Sequence, residues 1–273
     1  TNTYISSQNT LLFTDHPDRS TLQNLQLNNF IGDPYKNQKP PNTFRLHAGN
    51  PNGLKVDRLD NEYAEYLRSM ATIEADCIAL YEINLDTQQH RIRKTLHETT
   101  KTHFEHHRLT FGSSAIPSTH SFKPGGTLLL LQGNTTGRVT SKGTDDLGRW
   151  CYQTLVGKEG KKITFISAYQ VCQQSIRSSG RVQSLTAHAQ QVSILRAQQR
   201  NITPRQVFIK DLKEFIKQQQ QSGNSILLVG DFNEKLDDKY EGITKLASEL
   251  HLIDLMYMAI GKDSFPTWIR GSD

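Results

Sequence analysis

The 273-residue chain reads as an α/β protein: two β–α–β stretches separated by a meander of strands, arranged as a two-layered sheet flanked by helices. Three observations predict this class. Apolar runs of four to six residues recur along the chain and end at Gly, Asn, Glu or Asp, as buried strands do. Between several of them lie longer stretches with apolar residues at spacings of 3, 4 and 7, the mark of amphipathic helices. A hydrophobic content of 35%, with 11 Phe and 9 Tyr, supplies a core for one large domain or two small ones.

Taken in order, residues 1–42 are polar and rich in Asn and Gln, with Pro34, Pro40 and Pro41 near the end. Leu22, Leu25 and Leu27 suit a short helix or strand, and the segment is expected to be a partly ordered extension of a domain spanning 43–273. Residues 43–47 make a first strand that ends at Asn50. Residues 56–73 carry Leu59, Tyr63, Tyr66, Leu67, Met70 and Ile73 on one helical face, and residues 77–81 form a second strand closed by Glu82. In open α/β sheets, corresponding strand ends are where ligands bind, so Asn50 and Glu82 are placed at such an edge.

Residues 86–107 are charged and His-rich and read as an exposed helix. His103 and His107 share helical spacing, but no carboxylate or cysteine partner completes a metal pattern. Residues 108–111, 127–132, 150–156 and 162–171 read as strands, and Gly125-Gly126 as a turn rather than a close backbone approach. Residues 184–199 form a Gln-rich helix. Thr203-Pro204 opens another, with Thr as N-cap and Pro in the first position, and Gly223 closes it. A last helix is expected over 243–260, before Ser264-Phe265-Pro266-Thr267-Trp268.

Charge and cysteine usage narrow the function. Lys and Arg number 32 against 27 Asp and Glu, and the net charge of +5 favours polyanionic partners. Cys77, Cys151 and Cys172 show no metal-type spacing and suit free thiols in a reducing compartment. No run approaches the ~18–20 apolar residues of a membrane span, and no signal peptide is visible, so an intracellular, non-membrane protein is expected. The chain opens Thr1-Asn2-Thr3 without Met, which suggests a part of a larger parent protein.

The most informative stretch is residues 225–233. Ile226, Leu227, Leu228 and Val229 form a continuous apolar run, read as a strand covered on both faces. Gly230 is read as allowing a tight bend. Asp231 and Asn233 then leave the strand on one side, with Phe232 on the other. A carboxylate and a carboxamide so placed suit holding a water and a phosphate oxygen near a metal; a plain strand-ending turn has the same sequence.

Three other stretches bear on that choice. Gly230-Asp231-Phe232-Asn233 resembles a motif of the endonuclease/exonuclease/phosphatase superfamily, which includes exonuclease III, the apurinic/apyrimidinic endonucleases and DNase I. Asn50-Pro51-Asn52-Gly53-Leu54 resembles its opening motif, Ala79-Leu80-Tyr81-Glu82 its metal-binding strand, and Ile166-Ser167-Ala168-Tyr169 the strand ending in a Tyr at the phosphate. The four occur in the family's order, and the resemblance covers roughly residues 43 to 270. It implies a four-layered α/β sandwich and metal-assisted phosphodiester hydrolysis on DNA, with Mg²⁺ or Mn²⁺ as the cofactor.

The resemblance also implies roles. Glu82 would be the primary metal ligand, Asn52 a second one, and Asn50 would orient Glu82 or contact the metal shell. Asp231 would orient or deprotonate the attacking water, Asn233 would hold a phosphate oxygen, and Tyr169 would donate to the phosphate or the leaving oxygen. Arg177 and Arg181, in the polar loop past Tyr169, would bind the substrate's phosphates.

Two departures stand out. After Tyr169 the chain reads Gln170-Val171-Cys172-Gln173 where the family often has Pro-Asn. The late Asp and the terminal Asp-His pair of the family have no counterpart before Asp273, so a domain truncated at its C-terminus, and a weakly cutting one, is expected. Residues 168–172, the Gln-rich helix and Phe265-Pro266-Thr267-Trp268 resemble retroelement-type endonucleases. Two alternatives stay open: a phosphatase or phosphodiesterase of the same superfamily acting on lipid headgroups, nucleotides or RNA, and a nucleic-acid-binding module that does not cut.

Overall fold

The computed structural model describes residues 2–5, 10–14, 39–57, 60–118, 120–172, 186–234, 241–255 and 258. The strands are β1 (Asn2–Ile5), β2 (Thr10–Thr14), β3 (Arg45–Gly49), β4 (Cys77–Tyr81), β5 (His107–Gly112), β6 (Thr127–Gln132), β7 (Val139–Thr144), β8 (Trp150–Val156), β9 (Lys162–Tyr169) and β10 (Asn224–Asp231). The α-helices are α1 (Glu62–Thr72), α2 (His90–His103), α3 (Ala187–Ala197), α4 (Pro204–Gln221) and α5 (Gly242–Glu249).

One sheet runs β1-β2-β3-β4-β6-β5 and the other β10-β9-β8-β7. Each holds one parallel pair, β3 with β4 and β10 with β9, and the remaining pairs are antiparallel. Within the stretch read as an extension, β1 and β2 form a hairpin that adds to the edge of β3.

The period of two along each strand builds four layers. In β4, Cys77, Ala79 and Tyr81 enter a core shared with Phe165, Tyr169 and Leu227 of the opposite sheet. Ile78 and Leu80 point the other way, onto Tyr63 and Leu67 of α1 and Ile92 and Leu96 of α2. All five residues of β4 are therefore buried, which is why this strand is continuously apolar. On the far side, Trp150, Ile166 and Ala168 pack against Phe208, Leu212 and Ile216 of α4 and Ile243 and Leu246 of α5. Each such large side chain contributes about 1.5–3 kcal/mol on burial. The order is helices, sheet, sheet, helices: the four-layered sandwich expected from the motifs.

Several boundaries differ from the sequence reading. β7 was missed because Val139-Thr140-Ser141-Lys142-Gly143-Thr144 is largely polar, and it is an edge strand with little of it buried. β10 is packed on both faces as expected, with Leu227 and Val229 in the core between the sheets and Ile226 and Leu228 against the core that holds Phe208 and Ile243. Among the described residues it nevertheless pairs only with β9, and only Leu227 is fully buried. The helix read over 86–107 is confined to His90–His103, and His107 opens β5, so His103 and His107 do not share a helical face. Asp86 is not an exposed charge: it is 1% exposed and pairs with buried Lys123 at 2.6 Å. α5 ends at Glu249, where Leu250 closes it and His251 turns to φ 53°, so the stretch read as one helix over 243–260 is interrupted. Leu255 and Met258 are again helical, and Met258 N–H donates to Asp254 O at 3.1 Å. α4 follows the sequence closely, with Thr203 and Gln206 forming a reciprocal capping box and Pro204 in the first turn.

Candidate functional site

The parallel pairs bring the C-terminal ends of β3, β4, β9 and β10 to one edge of the sandwich, and the motif residues sit there. Asn50 follows β3, Glu82 follows β4, Tyr169 ends β9 and Asp231 ends β10. The Asn50 amide Nδ2 donates to Glu82 Oε2 at 2.8 Å and to Asp231 Oδ2 at 2.8 Å. The two carboxylate oxygens therefore lie within twice that distance of each other, although the residues are 149 positions apart in sequence. The Asn50 Oδ1 accepts the backbone N–H of Asn52 at 2.8 Å. These partners fix the amide's orientation, since the reverse would set an acceptor against two carboxylates.

Glu82 is held in an unusual backbone state. Its φ is 59°, the left-handed region that costs a non-glycine residue about 1–2 kcal/mol. Both of its peptide groups are anchored: its N–H donates to Gly126 O at 2.8 Å, and its carbonyl accepts the Gly53 N–H at 2.9 Å. The Leu54 N–H continues the pairing to Ile83 O at 3.0 Å. The Asn50–Leu54 motif thus has a structural meaning. It seats the strained Glu82 loop through its backbone and ties the Glu82 carboxylate to Asp231 through Asn50.

Gly125 and Gly126, read as a turn, instead provide the close approach. A Cβ on Gly126, at φ 84°, would stand 2.9 Å from Gly112 O. Asn84, which the sequence reading did not single out, completes the seat. It is buried, its Oδ1 accepts Gly125 N–H at 2.7 Å, and its N–H donates to Gly125 O at 2.9 Å. The glycine pair was the one readable signal for this element.

Phe232 packs toward Phe208 of α4 while Asp231 turns to the site, so the alternation read from the sequence holds through Asp231. Asn233 then takes φ 46° and ends the extended geometry. Its N–H donates to Asp231 Oδ1 at 3.0 Å, its Nδ2 donates to Gln170 O at 2.8 Å, and its Oδ1 accepts from Cys172 Sγ at 3.0 Å. Gln170 N–H donates to Asp231 O at 2.9 Å. The Gln170-Val171-Cys172 departure from the family pattern is therefore bonded to the Asp231–Asn233 turn.

Tyr169 is 5% exposed, and its phenol lies near the Glu82 carboxylate. Burial first, then the Glu82 charge, pushes its phenol well above the usual range, so the ring stays a neutral donor. Burial and the charges of Asp231 and Glu82 also push the Cys172 thiol up.

Of the residues named from the sequence, Asn50, Glu82, Tyr169, Asp231 and Asn233 are brought together. Asn52 reaches the cluster through its backbone, with an exposed side chain at φ 51°. Arg177 and Arg181 lie outside the described residues.

The donor set suits a hard divalent cation. Among the described residues no group of three or more His, Cys, Asp and Glu could hold a metal. Two carboxylates and an amide do converge, and no ion pair among the described residues engages Glu82 or Asp231. Mg²⁺ keeps several waters and needs only one or two carboxylates, so the residues fit it.

Fold and site together define an α/β sandwich with a carboxylate–amide cluster at the strand ends. No protein-family model matches the sequence, and comparison with curated proteins finds no match. Solved structures similar to the chain include an AP endonuclease from Leishmania major, at 15% identity and TM-score 0.49 over 71% of this chain and 56% of that one. Another is a 3'-5' exonuclease from Neisseria meningitidis, at 13% identity and TM-score 0.44 over 75% of this chain and 70% of that one. An endonuclease/exonuclease/phosphatase from Bacteroides vulgatus shows 14% identity and TM-score 0.40 over 73% of this chain and 70% of that one. The chain thus spans little more than half the length of the Leishmania protein. Among the described residues, no helix is long and apolar enough to cross a membrane.

Proposed function

We propose that the chain is a metal-dependent phosphodiester hydrolase of the endonuclease/exonuclease/phosphatase type, acting on DNA. The observation that carries this reading is the single Asn50 amide bonded at 2.8 Å to both Glu82 and Asp231. Nothing in the core requires two carboxylates to be gathered at a solvent-facing edge. Like charges repel, by about 1 kcal/mol at 4 Å in water and about 4 at an effective dielectric of 20. A cation and a phosphate arriving there would relieve that repulsion.

Glu82 and Asn50 would hold Mg²⁺ or Mn²⁺, which when bound supplies charge neutralisation at the phosphate and at the leaving oxygen. Asp231 faces the same space and accepts a proton from the attacking water. Asn233 uses one amide N–H on Gln170 O, which leaves its second for a phosphate oxygen. Tyr169, kept protonated, donates to the phosphate or the leaving oxygen. The net charge of +5 favours a polyanionic substrate.

The test is nicking of supercoiled plasmid with Mg²⁺, comparing the wild type with Glu82→Gln and Asp231→Asn. Each substitution should lower the rate on the order of 10²-fold or more, and Glu82→Gln should weaken Mg²⁺ binding in calorimetry. Unchanged nicking by both variants would overturn the assignment. Hydrolysis of a nucleotide or lipid phosphate with no action on DNA would move the substrate class.

A further inference from the structure

The Asp231–Asn233 turn is held from behind by an arginine that takes no part in the cluster itself. Arg205 lies in the first turn of α4, just after Thr203 and Pro204, with its side chain 20% exposed. Its Nη1 donates to Val171 O at 2.8 Å, and its Nη2 pairs with Glu234 Oε2 at 3.4 Å. Val171 is two residues past Tyr169, and Glu234 directly follows Asn233. One guanidinium therefore joins the continuations of both strands that carry the cluster.

Glu234 is anchored on its other side as well. Its Oε2 accepts the Ile243 N–H in the first turn of α5 at 3.4 Å. Gly242 lets the carboxylate sit against the helix start, since a Cβ there would lie 1.6 Å from Glu234 Oε1. Arg205 and Glu234 line a groove of about 420 Å³ between α4 and α5, behind the catalytic edge. Neither residue bonds Glu82, Asp231 or Asn50.

We propose that Arg205 is a positioning residue, which with Glu234 holds Asn233 in its left-handed conformation and so sets the directions of Asp231 and Asn233. Asn233 at φ 46° lies in the left-handed region, which Asn visits more readily than other non-glycine residues but in competition with other states, so the bonds around it select that state. Its own bonds reach Asp231, Gln170 and Cys172, all on the two segments that the guanidinium bridges. A planar fork suits this task, because it presents two N–H groups in fixed directions to a carbonyl and a carboxylate at once. A lysine ammonium would keep a charge near Glu234 without fixing both partners.

The catalytic consequence rests on the proposed hydrolase function, whereas the positioning itself does not. The experiment therefore has two readouts: residue-resolved hydrogen exchange of the Asn233 amide, and kcat and KM for plasmid nicking with Mg²⁺. Arg205→Ala and Glu234→Gln should each speed Asn233 exchange roughly tenfold or more, leaving the Leu212 amide in the middle of α4 unchanged. Arg205→Lys should fall between Arg205→Ala and the wild type. Lys210→Ala, on the same helix and groove, should match the wild type in both readouts. In nicking, kcat should drop about 10- to 100-fold with KM within about twofold, as for a displaced catalytic group. Should Arg205→Ala loosen Leu212 as well, Glu234→Gln decides. Unchanged Asn233 exchange in Glu234→Gln overturns the proposal whatever the activity. Full nicking by Asp231→Asn alongside faster Asn233 exchange would instead overturn the hydrolase reading and leave the clamp standing.

Discussion

Gly230→Ala adds one methyl group and should damage fold and site together. Gly230 stands opposite Ala168 in the parallel pairing of β10 with β9. A Cβ at 230 would meet the Ala168 carbonyl oxygen at 2.3 Å and the Ala168 Cβ at 3.2 Å. Side-chain Cβ atoms essentially never come within 3.0 Å of another heavy atom, so something must shift. The carbonyl cannot easily turn aside, because Ala168 is paired on its other side with Trp150 of β8. The strand that yields is β10, whose next residue is Asp231. Overpacking of this kind costs about 1–3 kcal/mol. At roughly 2–4 °C per kcal/mol for a domain of this size, the thermal midpoint should fall by about 5 °C. A displacement near 1 Å at Asp231 can cost on the order of 10² in kcat. The assays are thermal unfolding by circular dichroism and Mg²⁺-dependent nicking at a temperature where the variant is folded. Adding Ala168→Gly removes the Cβ contact and leaves the carbonyl in place, so the double variant should stay impaired. Wild-type stability and wild-type nicking in Gly230→Ala would refute the reasoning.

Three further expectations follow from other contacts. Tyr169→Phe should lower kcat while leaving the thermal midpoint nearly unchanged; because burial and Glu82 hold the phenol up, the wild type should show no loss of rate from tyrosine ionisation through pH 10. Asp86→Ala strands buried Lys123, whose Nζ also donates to Ser114 O at 2.8 Å, and should cost about 3–5 kcal/mol in urea unfolding, with part of that recovered in Asp86→Ala/Lys123→Met. His47, bonded to Tyr66, is lowered by burial to about 4 from 6.5. The unfolded chain binds the proton first, so stability should be fully present above about pH 6.5 and fall by roughly 3 kcal/mol as the pH drops toward 4. A flat urea midpoint across that range, or an undiminished slope in His47→Gln, would remove His47 from that role.

Much of the architecture was legible because it follows from local periodicity. Cys77 to Tyr81 and Leu128 to Leu131 are apolar at every position, and both lie inside the sandwich. Thr203-Pro204 marked the start of α4 within a residue, because an N-cap hydroxyl and a fixed proline φ act on the backbone beside them. β7 was not legible, because an exposed edge strand needs no apolar pattern. Asp86 misled for the opposite reason. Its partner Lys123 is 37 residues away, so nothing in its neighbourhood announces a buried pair.

What the sequence determined by itself is which residues stand at strand ends. Glu82, Tyr169 and Asp231 each close a largely apolar run, which must cross the core and emerge at an edge, and Asn50 follows a strand that alternates apolar with polar residues. What only the tertiary structure decided is how those ends meet. The parallel pairing of β3 with β4 and of β9 with β10 sends all four to the same edge. The packing of the two sheets then brings the Asn50 amide within 2.8 Å of both carboxylates. The left-handed turns at Glu82 and Asn233, and the Arg205 bridge between Val171 and Glu234, also belong to this second class. Hydrophobic alternation acts over a few residues and can be read along the chain. The pairing of polar groups is settled by distances in space, and it is made between residues that sequence spacing keeps far apart.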